Sequence, residues 1–76
     1  MSKAVCELAS AKFQLTYTKQ PTNEGTLYKG ILHTTKPFEF SYLVNPNNQL
    51  KYFHPLDTER YKIDAITEAI ENNEIK

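Results

Sequence analysis

The chain contains one thiol and two imidazoles, the side chains from which a nucleophilic site would be built. Cys6 supplies the thiol, His33 and His54 supply the imidazoles, and Asp57 or Glu39 could orient an imidazole as a third group. This inventory suits thiol chemistry, in which a histidine base activates a cysteine. No family signature surrounds Cys6, however, and a lone cysteine beside alanine, valine and leucine is usually a small core residue. We therefore expect no catalytic residues and predict that Cys6 is structural.

Residue spacing also argues against a metal or phosphate site. Tetrahedral metal sites are typically built from close ligand pairs such as CxxC or HxxxH, and Cys6, His33 and His54 form no such pair. The two glycines, Gly25 and Gly30, belong to neither GxGxxG nor GxxxxGK. The sequence therefore predicts no metal, no cofactor and no small-molecule substrate.

Aromatic residues are the most unusual component, with five tyrosines and four phenylalanines among 76 residues. On a sheet, aromatic rings interleaved with lysines can stack single-stranded bases while the lysines follow the phosphate backbone. Alternatively, a small protein without tryptophan uses tyrosine and phenylalanine as core bulk. If these residues form a contact surface, the predicted partner-binding residues are Tyr28, Tyr42, Tyr52, Phe53, Lys29 and Lys51.

The charges balance in sum but not in distribution. Nine basic and nine acidic residues give a formal net charge of zero. Residues 1–56 hold six lysines against three glutamates, whereas residues 57–76 hold six acidic against three basic residues. Phosphate neutralisation supplies most of the affinity of a duplex-DNA binder, and this chain has no net positive charge for it. We therefore rank a protein partner, either a larger protein or a second copy, above nucleic acid.

Residues 38–54 carry the clearest structural pattern, that of a β-hairpin. Apolar residues alternate on both sides of a turn sequence that begins at Asn45. Pro46 presets φ for the first corner, and Asn47 or Asn48 can adopt the left-handed conformation that returns the chain. With these three residues as the loop, the predicted cross-strand pairs are Val44 with Leu50, Tyr42 with Tyr52, and Phe40 with His54.

The residues before this hairpin predict further strands. Residues 12–18 and 26–34 alternate as half-buried strands do, and residues 19–25 between them carry loop-forming proline, asparagine and glycine. Residues 2–11 fit either a strand or a short helix. We interpret them as a strand with a bulge or bend near residues 9–11, because the apolar parity changes there.

The chain ends in a predicted helix over residues 64–72. Asp64 is a good N-cap, and the alanines and isoleucines that follow form a narrow apolar stripe. Residues 60–63 fit either a short strand or a first helical turn, and Leu56 is expected to fold back on the sheet. The predicted fold class is α+β: one domain over residues 1–76, with an antiparallel meander of four to five strands and the helix packed on one face.

The predicted register makes both faces of the sheet apolar. One helix cannot cover two faces, and an uncovered apolar face usually marks an association surface. Aromatic side chains carry most binding energy in interfaces, so Tyr28 or Phe53, whichever lies away from the helix, is the predicted anchor. Four side chains are predicted to lie on the sheet face that does not carry Tyr42 and Val44. They are Tyr28, Leu32, Leu43 and Phe53.

We therefore expect a non-catalytic binding protein, a regulator or inhibitor that docks on a larger protein or forms a homodimer. The alternative is a single-stranded nucleic-acid binder that uses tyrosine and lysine on the sheet. By analogy alone, small proteins of this kind are typical of phages and mobile elements. A single cysteine and the lack of any apolar run of about 18 residues predict a cytoplasmic protein that does not associate with membranes.

Overall fold

The computed structural model describes residues 2–75, and these form five strands followed by one helix. Each strand pairs with its neighbours in chain order, and all the pairings are antiparallel, so the predicted meander followed by a C-terminal helix is confirmed. The elements are β1 (Ser2–Leu8), β2 (Ala11–Thr22), β3 (Gly25–His33), β4 (Phe38–Val44), β5 (Leu50–His54) and α1 (Arg60–Ile75).

The first connection is a two-residue turn. Ala9 and Ser10 have φ values of 50° and 68°, and Leu8 pairs with Ala11 across them. Two left-handed residues are the signature of the turn whose twist matches that of the flanking strands. Residues 2–11 are therefore a strand and a turn rather than a helix, and the change in apolar parity marks the return of the chain.

The second connection is much shorter than predicted. The loop expected over residues 19–25 is wrong, because β2 continues through most of it and only residues 23–24 lie between β2 and β3. Pro21 is tolerated within the strand for a simple reason. β1 begins at Ser2, which lies opposite Tyr17. Among the described residues, the part of β2 after Tyr17 therefore pairs only with β3, and Pro21 needs no second backbone partner.

The loop between β4 and β5 is the predicted one. The Asn45 N–H donates to the carbonyl of Gln49 at 2.8 Å, which leaves Pro46, Asn47 and Asn48 as the loop. Asn48 has a φ of 66°, so it supplies the left-handed residue. The Asn45 Oδ1 also accepts hydrogen bonds from the N–H groups of Asn47 at 3.0 Å and Gln49 at 2.8 Å. Asparagine at this position therefore organises the whole turn.

Beyond the first pair of this hairpin, the register departs from the prediction. Val44 pairs with Leu50 as expected, but the register shifts before the next pair and Lys51 is left without a partner. Such a bulge displaces every later pair by one residue. The predicted pairs Tyr42 with Tyr52 and Phe40 with His54 are therefore wrong, and the observed pairs are Leu43 with Tyr52, Tyr42 with Phe53, and Ser41 with His54.

The pairing of the strands places most aromatic side chains of the sheet on one face, which we call the core face. Tyr28, Leu32 and Phe53 lie on this face together with Tyr42, so their predicted place on the other face is wrong. That other face, which we call the open face, carries polar and charged residues together with five apolar ones: Val5, Leu27, Ile31, Leu43 and Tyr52. The buried cluster comprises Ala4, Cys6, Leu15, Tyr17, Leu32, Phe40, Tyr42, Phe53, Ile66 and Ile70.

Gly30 lies at the centre of the core face, where no side chain fits. A Cβ atom there would come within 2.3 Å of the Thr16 carbonyl oxygen and 2.9 Å of Phe40 Cζ. The phenylalanine ring therefore occupies the space above the glycine. Glycine at this position therefore permits the close approach of the neighbouring strand and ring.

The segment between β5 and the helix is a closed turn. The Thr58 N–H and Oγ1 both donate to the Pro55 carbonyl, at 3.1 and 2.6 Å. Leu56 occupies the outer corner of this turn and is 79% exposed, so the prediction that it folds back on the sheet is wrong. Because residues 55–58 form this turn, the chain has no free segment there that could carry Leu56 back onto the sheet.

The helix begins one turn earlier and ends later than the predicted residues 64–72. Residues 60–63 form its first turn, and the Glu59 carbonyl accepts the N–H groups of Lys62 and Ile63 at 3.0 and 3.2 Å. Asp64 is therefore not the N-cap; its carboxylate pairs instead with Arg60 at 3.2 Å. The first turn holds no acidic residue and the last turn no basic one, so the helix charges do not complement its dipole.

Only Ile66 and Ile70 of the helix are fully buried, and both belong to the cluster formed with the sheet. The helix backbone comes closest to β1, where the core-face residues Ala4 and Cys6 are small. Across the sheet, β4 presents large rings instead. Within residues 2–75, no helix combines the length and apolar character needed to cross a membrane.

Candidate functional site

The cysteine and the histidines lie on different sides of the sheet. Cys6 belongs to the core face and is completely buried, and this burial raises the pKa of its thiol. His33 and His54 lie at open-face positions, since they pair or bond with Thr16 and Ser41 there. The sheet thus separates the thiol from both imidazoles, and burial disfavours the thiolate that nucleophilic chemistry requires.

The corrected register creates one contact that sequence reasoning missed, between Ser41 and His54. These two residues are cross-strand partners on the open face, beside a shallow depression of about 520 Å³. The described residues show no hydrogen bond between them, whereas a nucleophile and its base need to approach within about 3 Å. Within residues 2–75, no three His, Cys, Asp or Glu side chains are placed to hold a metal ion.

Half of the predicted partner-binding residues lie in the core. Tyr42 and Phe53 are only 2% and 5% exposed, and their rings stack with centroids 5.6 Å apart. Tyr28 is half-buried and stacks on Tyr42 at 4.9 Å. Burial raises the pKa of the Tyr42 hydroxyl. Tyr42 and Phe53 therefore have almost no surface to offer a partner.

The other half of the predicted set remains at the surface. Lys29, Lys51 and Tyr52 are exposed, and Tyr52 shows 39% of its surface. Tyr52 continues a short apolar row on the open face, because it pairs with Leu43 and Leu43 pairs with Leu27. The structure thus does not interleave aromatic rings with lysines along one track, and Tyr52 is the exposed ring of the set.

Exposed large apolar side chains concentrate at the two edges of the sheet. Leu50, Tyr52 and Leu56 lie on β5 and the turn after it, with exposures of 40%, 39% and 79%. We call these three residues the β5 patch. At the other edge, Val5 of β1 and Tyr61 of the helix are 63% and 55% exposed and line one groove. Of these five residues, only Tyr52 was among the predicted partner-binding residues.

The β5 patch continues into a cleft between the helix and the sheet. The cleft encloses about 420 Å³ and is lined by the rings of Tyr28 and Tyr42. Leu50 and Ile75 lie along it from the sheet and the helix, respectively. Glu71 adds a carboxylate to the helix side. A cleft with apolar side chains on the sheet side and both apolar and charged side chains on the helix side thus begins at β5.

A polar network fixes the helix wall of this cleft. The Tyr17 hydroxyl and the Lys19 ammonium both donate to the Glu74 carboxylate, and the Asn73 amide donates to the Tyr17 hydroxyl at 2.9 Å. Hydrogen bonds from Lys19 and Tyr17 lower the pKa of Glu74. Because Tyr17 is only 1% exposed, the network joins the end of the helix to a rigid part of the sheet.

Comparison with known proteins finds no relative of this chain. No family model, no curated protein and no solved structure matches the chain. The function must therefore be inferred from the surface of the molecule itself.

Proposed function

We propose that this protein is a non-catalytic binding protein, a regulator or inhibitor that docks on a larger protein through the β5 patch. The observation that carries the proposal is the exposure of Leu50, Tyr52 and Leu56 within a stretch of seven residues. Isolated apolar residues are common on protein surfaces, but three of them along one edge of the sheet favour a binding edge.

The arrangement of the sheet supports this choice of surface. The buried isoleucines of α1 join the cluster of the core face, so in our proposal the helix covers that face and the docking surface lies at its margin. Tyr52 points to the open face and Leu50 lines the cleft on the other side of the same strand. A partner that receives the β5 edge would therefore contact both side chains, with Tyr52 as the aromatic anchor.

Docking by side chains suits this edge better than strand pairing. β5 is short, contains the bulge at Lys51 and is followed by Pro55. Bulges, lysines and prolines are the features by which edge strands avoid pairing with other strands. We therefore expect a pocket on the partner that receives Tyr52 and Leu56, rather than a strand added to the sheet.

Nucleic acid remains the alternative ligand, and the distribution of aromatic rings weighs against it. Single-strand binders need several exposed rings on which successive bases can stack. Tyr42 and Phe53 are buried, which leaves Tyr52 as the one strongly exposed ring of the predicted set. A single exposed ring with scattered lysines offers little surface on which successive bases could stack.

The test compares two exposed aliphatic residues on opposite edges of the sheet. Leu56→Ser removes an apolar side chain that is 79% exposed from the β5 patch, and Val5→Ser removes one that is 63% exposed from β1. Immobilised wild-type protein and both variants are incubated with lysate of the source organism, and the retained proteins are quantified by mass spectrometry. A purified candidate is then titrated, and Leu56→Ser is expected to weaken its binding about tenfold.

Two results would contradict the proposal. One is a retained protein that binds wild type, Leu56→Ser and Val5→Ser equally, which would place its contact elsewhere. The other is binding of labelled single-stranded DNA or RNA, with an affinity that falls steeply as salt rises, by a protein that captures no other protein. That second result would favour the nucleic-acid alternative.

A further inference from the structure

The edge strand β1 lacks the bulge and the following proline that protect β5 against strand pairing. It is seven residues long, pairs only with β2, and contains neither proline nor a register shift. Exposed edges of this kind present a row of free backbone groups to another strand. β1 and β5 are the two opposite edges of the sheet, so binding at β1 is independent of the docking at the β5 patch proposed above.

The turn between β1 and β2 determines which backbone groups of β1 are free. Hydrogen-bonded and non-hydrogen-bonded pairs alternate along an antiparallel ladder, and a two-residue turn closes on a hydrogen-bonded pair, here Leu8 with Ala11. Counting back from Leu8, the even-numbered residues of β1 use their backbone groups on β2. The odd-numbered residues Lys3, Val5 and Glu7 therefore direct their N–H and C=O groups outward.

The same three residues form a self-complementary sequence. In an antiparallel pair centred on Val5, Lys3 lies opposite Glu7 of the partner subunit, and Val5 lies opposite Val5 of the partner subunit. Opposite charges across a strand pair stabilise it, whereas like charges destabilise it. Registers centred on Lys3 or Glu7 would place like charges opposite each other. Among the registers centred on one of these three residues, the charge pattern thus favours the one centred on Val5, and this self-complementary sequence favours a second copy of this chain as the partner.

The helix leaves room at this edge. A groove of about 410 Å³ runs between β1 and the flank of the helix, and Val5 and Tyr61 line it with most of their surfaces exposed. Ala65 and Ala69 lie on the same flank, together with the carboxylates of Asp64 and Glu68. Pairing at β1 would therefore bury two exposed apolar side chains from each copy.

We propose that two copies pair through β1 in a twofold dimer, so that two sheets of five strands become one continuous sheet. The ladder is centred on Val5 of each copy, and each end carries an ion pair between Lys3 and Glu7 of the partner subunit. A twofold axis through Val5 makes the interface closed, since each copy uses the same patch and no edge of β1 remains free.

A charge exchange tests the register. Light scattering over a concentration series is expected to show a dimer for wild type, and Lys3→Glu is expected to raise the dissociation constant about tenfold, because both ion pairs become repulsive. The double variant Lys3→Glu with Glu7→Lys is expected to restore the dimer. Lys29→Glu, on the same open face but two strands away, is the control and should leave the dimer unchanged.

A disulfide test locates the axis. In a Cys6→Ala background, Val5→Cys is expected to form an intermolecular disulfide under mild oxidation, because Cα atoms in a hydrogen-bonded antiparallel pair lie about 5.5 Å apart. Lys3→Cys is the control, since the two Lys3 positions would be roughly 13 Å apart along the strands. A folded wild type that stays monomeric at high concentration would overturn the proposal. So would equal cross-linking of both cysteine variants, or a double charge variant that does not recover the dimer.

Discussion

The Tyr17 hydroxyl donates a hydrogen bond to the Glu74 carboxylate, and this contact ties the last turn of α1 to β2. The other carboxylate oxygen pairs with the ammonium of Lys19. Apolar burial contributes little at this end of the helix, because Ile75 is 74% exposed. Charge-assisted hydrogen bonds, which are stronger than neutral ones, therefore position the helix wall of the cleft.

The first prediction concerns the pH dependence of this contact. Hydrogen bonds from Lys19 and Tyr17 lower the pKa of Glu74 in the folded protein. Its stabilisation is therefore complete above the pKa that Glu74 has in the unfolded chain, and it is lost as pH falls through the lower folded pKa. We expect Glu74→Gln to reduce the free energy of unfolding by about 1 kcal/mol near neutral pH and to have no effect in acid. Urea denaturation over a pH series measures this difference. Glu71→Gln, on the exposed surface one turn earlier, is the control.

The second prediction concerns Gly30. A methyl group there would overlap the Thr16 carbonyl oxygen, 2.3 Å away, and the ring of Phe40. A backbone oxygen cannot move aside without disturbing the pairing of β2 with β3. We therefore expect Gly30→Ala to lower the free energy of unfolding by about 3 kcal/mol, at the upper end of overpacking costs. Lys29→Ala, the exposed neighbour, should change it by less than about 0.5 kcal/mol. A wild-type unfolding midpoint for Gly30→Ala would show that the two strands are further apart.

The third prediction concerns the bulge at Lys51. Deleting this residue leaves Leu50 followed directly by Tyr52. The observed pairs, Leu50 with Val44 and Tyr52 with Leu43, then become consecutive pairs of a regular ladder. We expect the deletion to keep the fold and to cost no more than about 1 kcal/mol. Nuclear Overhauser contacts between Tyr42 and Phe53 should persist. Deletion of Tyr52 instead, with Lys51 retained, is the comparison, because it removes the residue that pairs with Leu43. Loss of the Tyr42 contacts in the Lys51 deletion would refute the register.

The fourth prediction concerns Cys6. Its thiol is completely buried and its pKa is raised by desolvation. We expect an aromatic disulfide reagent to modify Cys6 only as fast as the protein unfolds, and to modify it rapidly in denaturant. Cys6→Ala should preserve every binding activity at a stability cost of roughly 1 kcal/mol. Rapid modification of the folded protein, or a well-folded Cys6→Ala variant that has lost binding, would contradict a structural role.

Local patterns were sufficient to predict most of the sheet. Alternation predicted the strands, and the chemistry of Asn45 and Asn48 predicted the loop between β4 and β5. The bulge at Lys51 could not be predicted, because a lysine is acceptable at any exposed strand position and the extra residue leaves no mark in the pattern. Pro21 misled for the opposite reason: it signals a loop, but it lies where β2 has only one neighbour.

The candidate site depended on this single bulge. Side chains alternate between faces, so a shift of one residue exchanges the core face and the open face for a whole strand. Phe53 was therefore predicted to be a possible surface anchor and is instead 5% exposed. The sequence left residues 60–63 open between a strand and a first helical turn, because Asp64 has the properties of an N-cap, whereas Arg60 and Lys62 are unfavourable near a helix N-terminus. Packing of Ile66 and Ile70 outweighs that local preference.

The charges of α1 have a consequence for the order in which the molecule assembles. With basic residues at its start and Glu74 in its last turn, the segment of residues 60–75 is a poor helix in isolation. The five strands, in contrast, follow one another through short turns, so their contacts are close in sequence and form quickly. We therefore expect the last segment to become helical only on a sheet where Ile66 and Ile70 can be buried. On this view the helix is the last element to form and the first to detach when the protein opens.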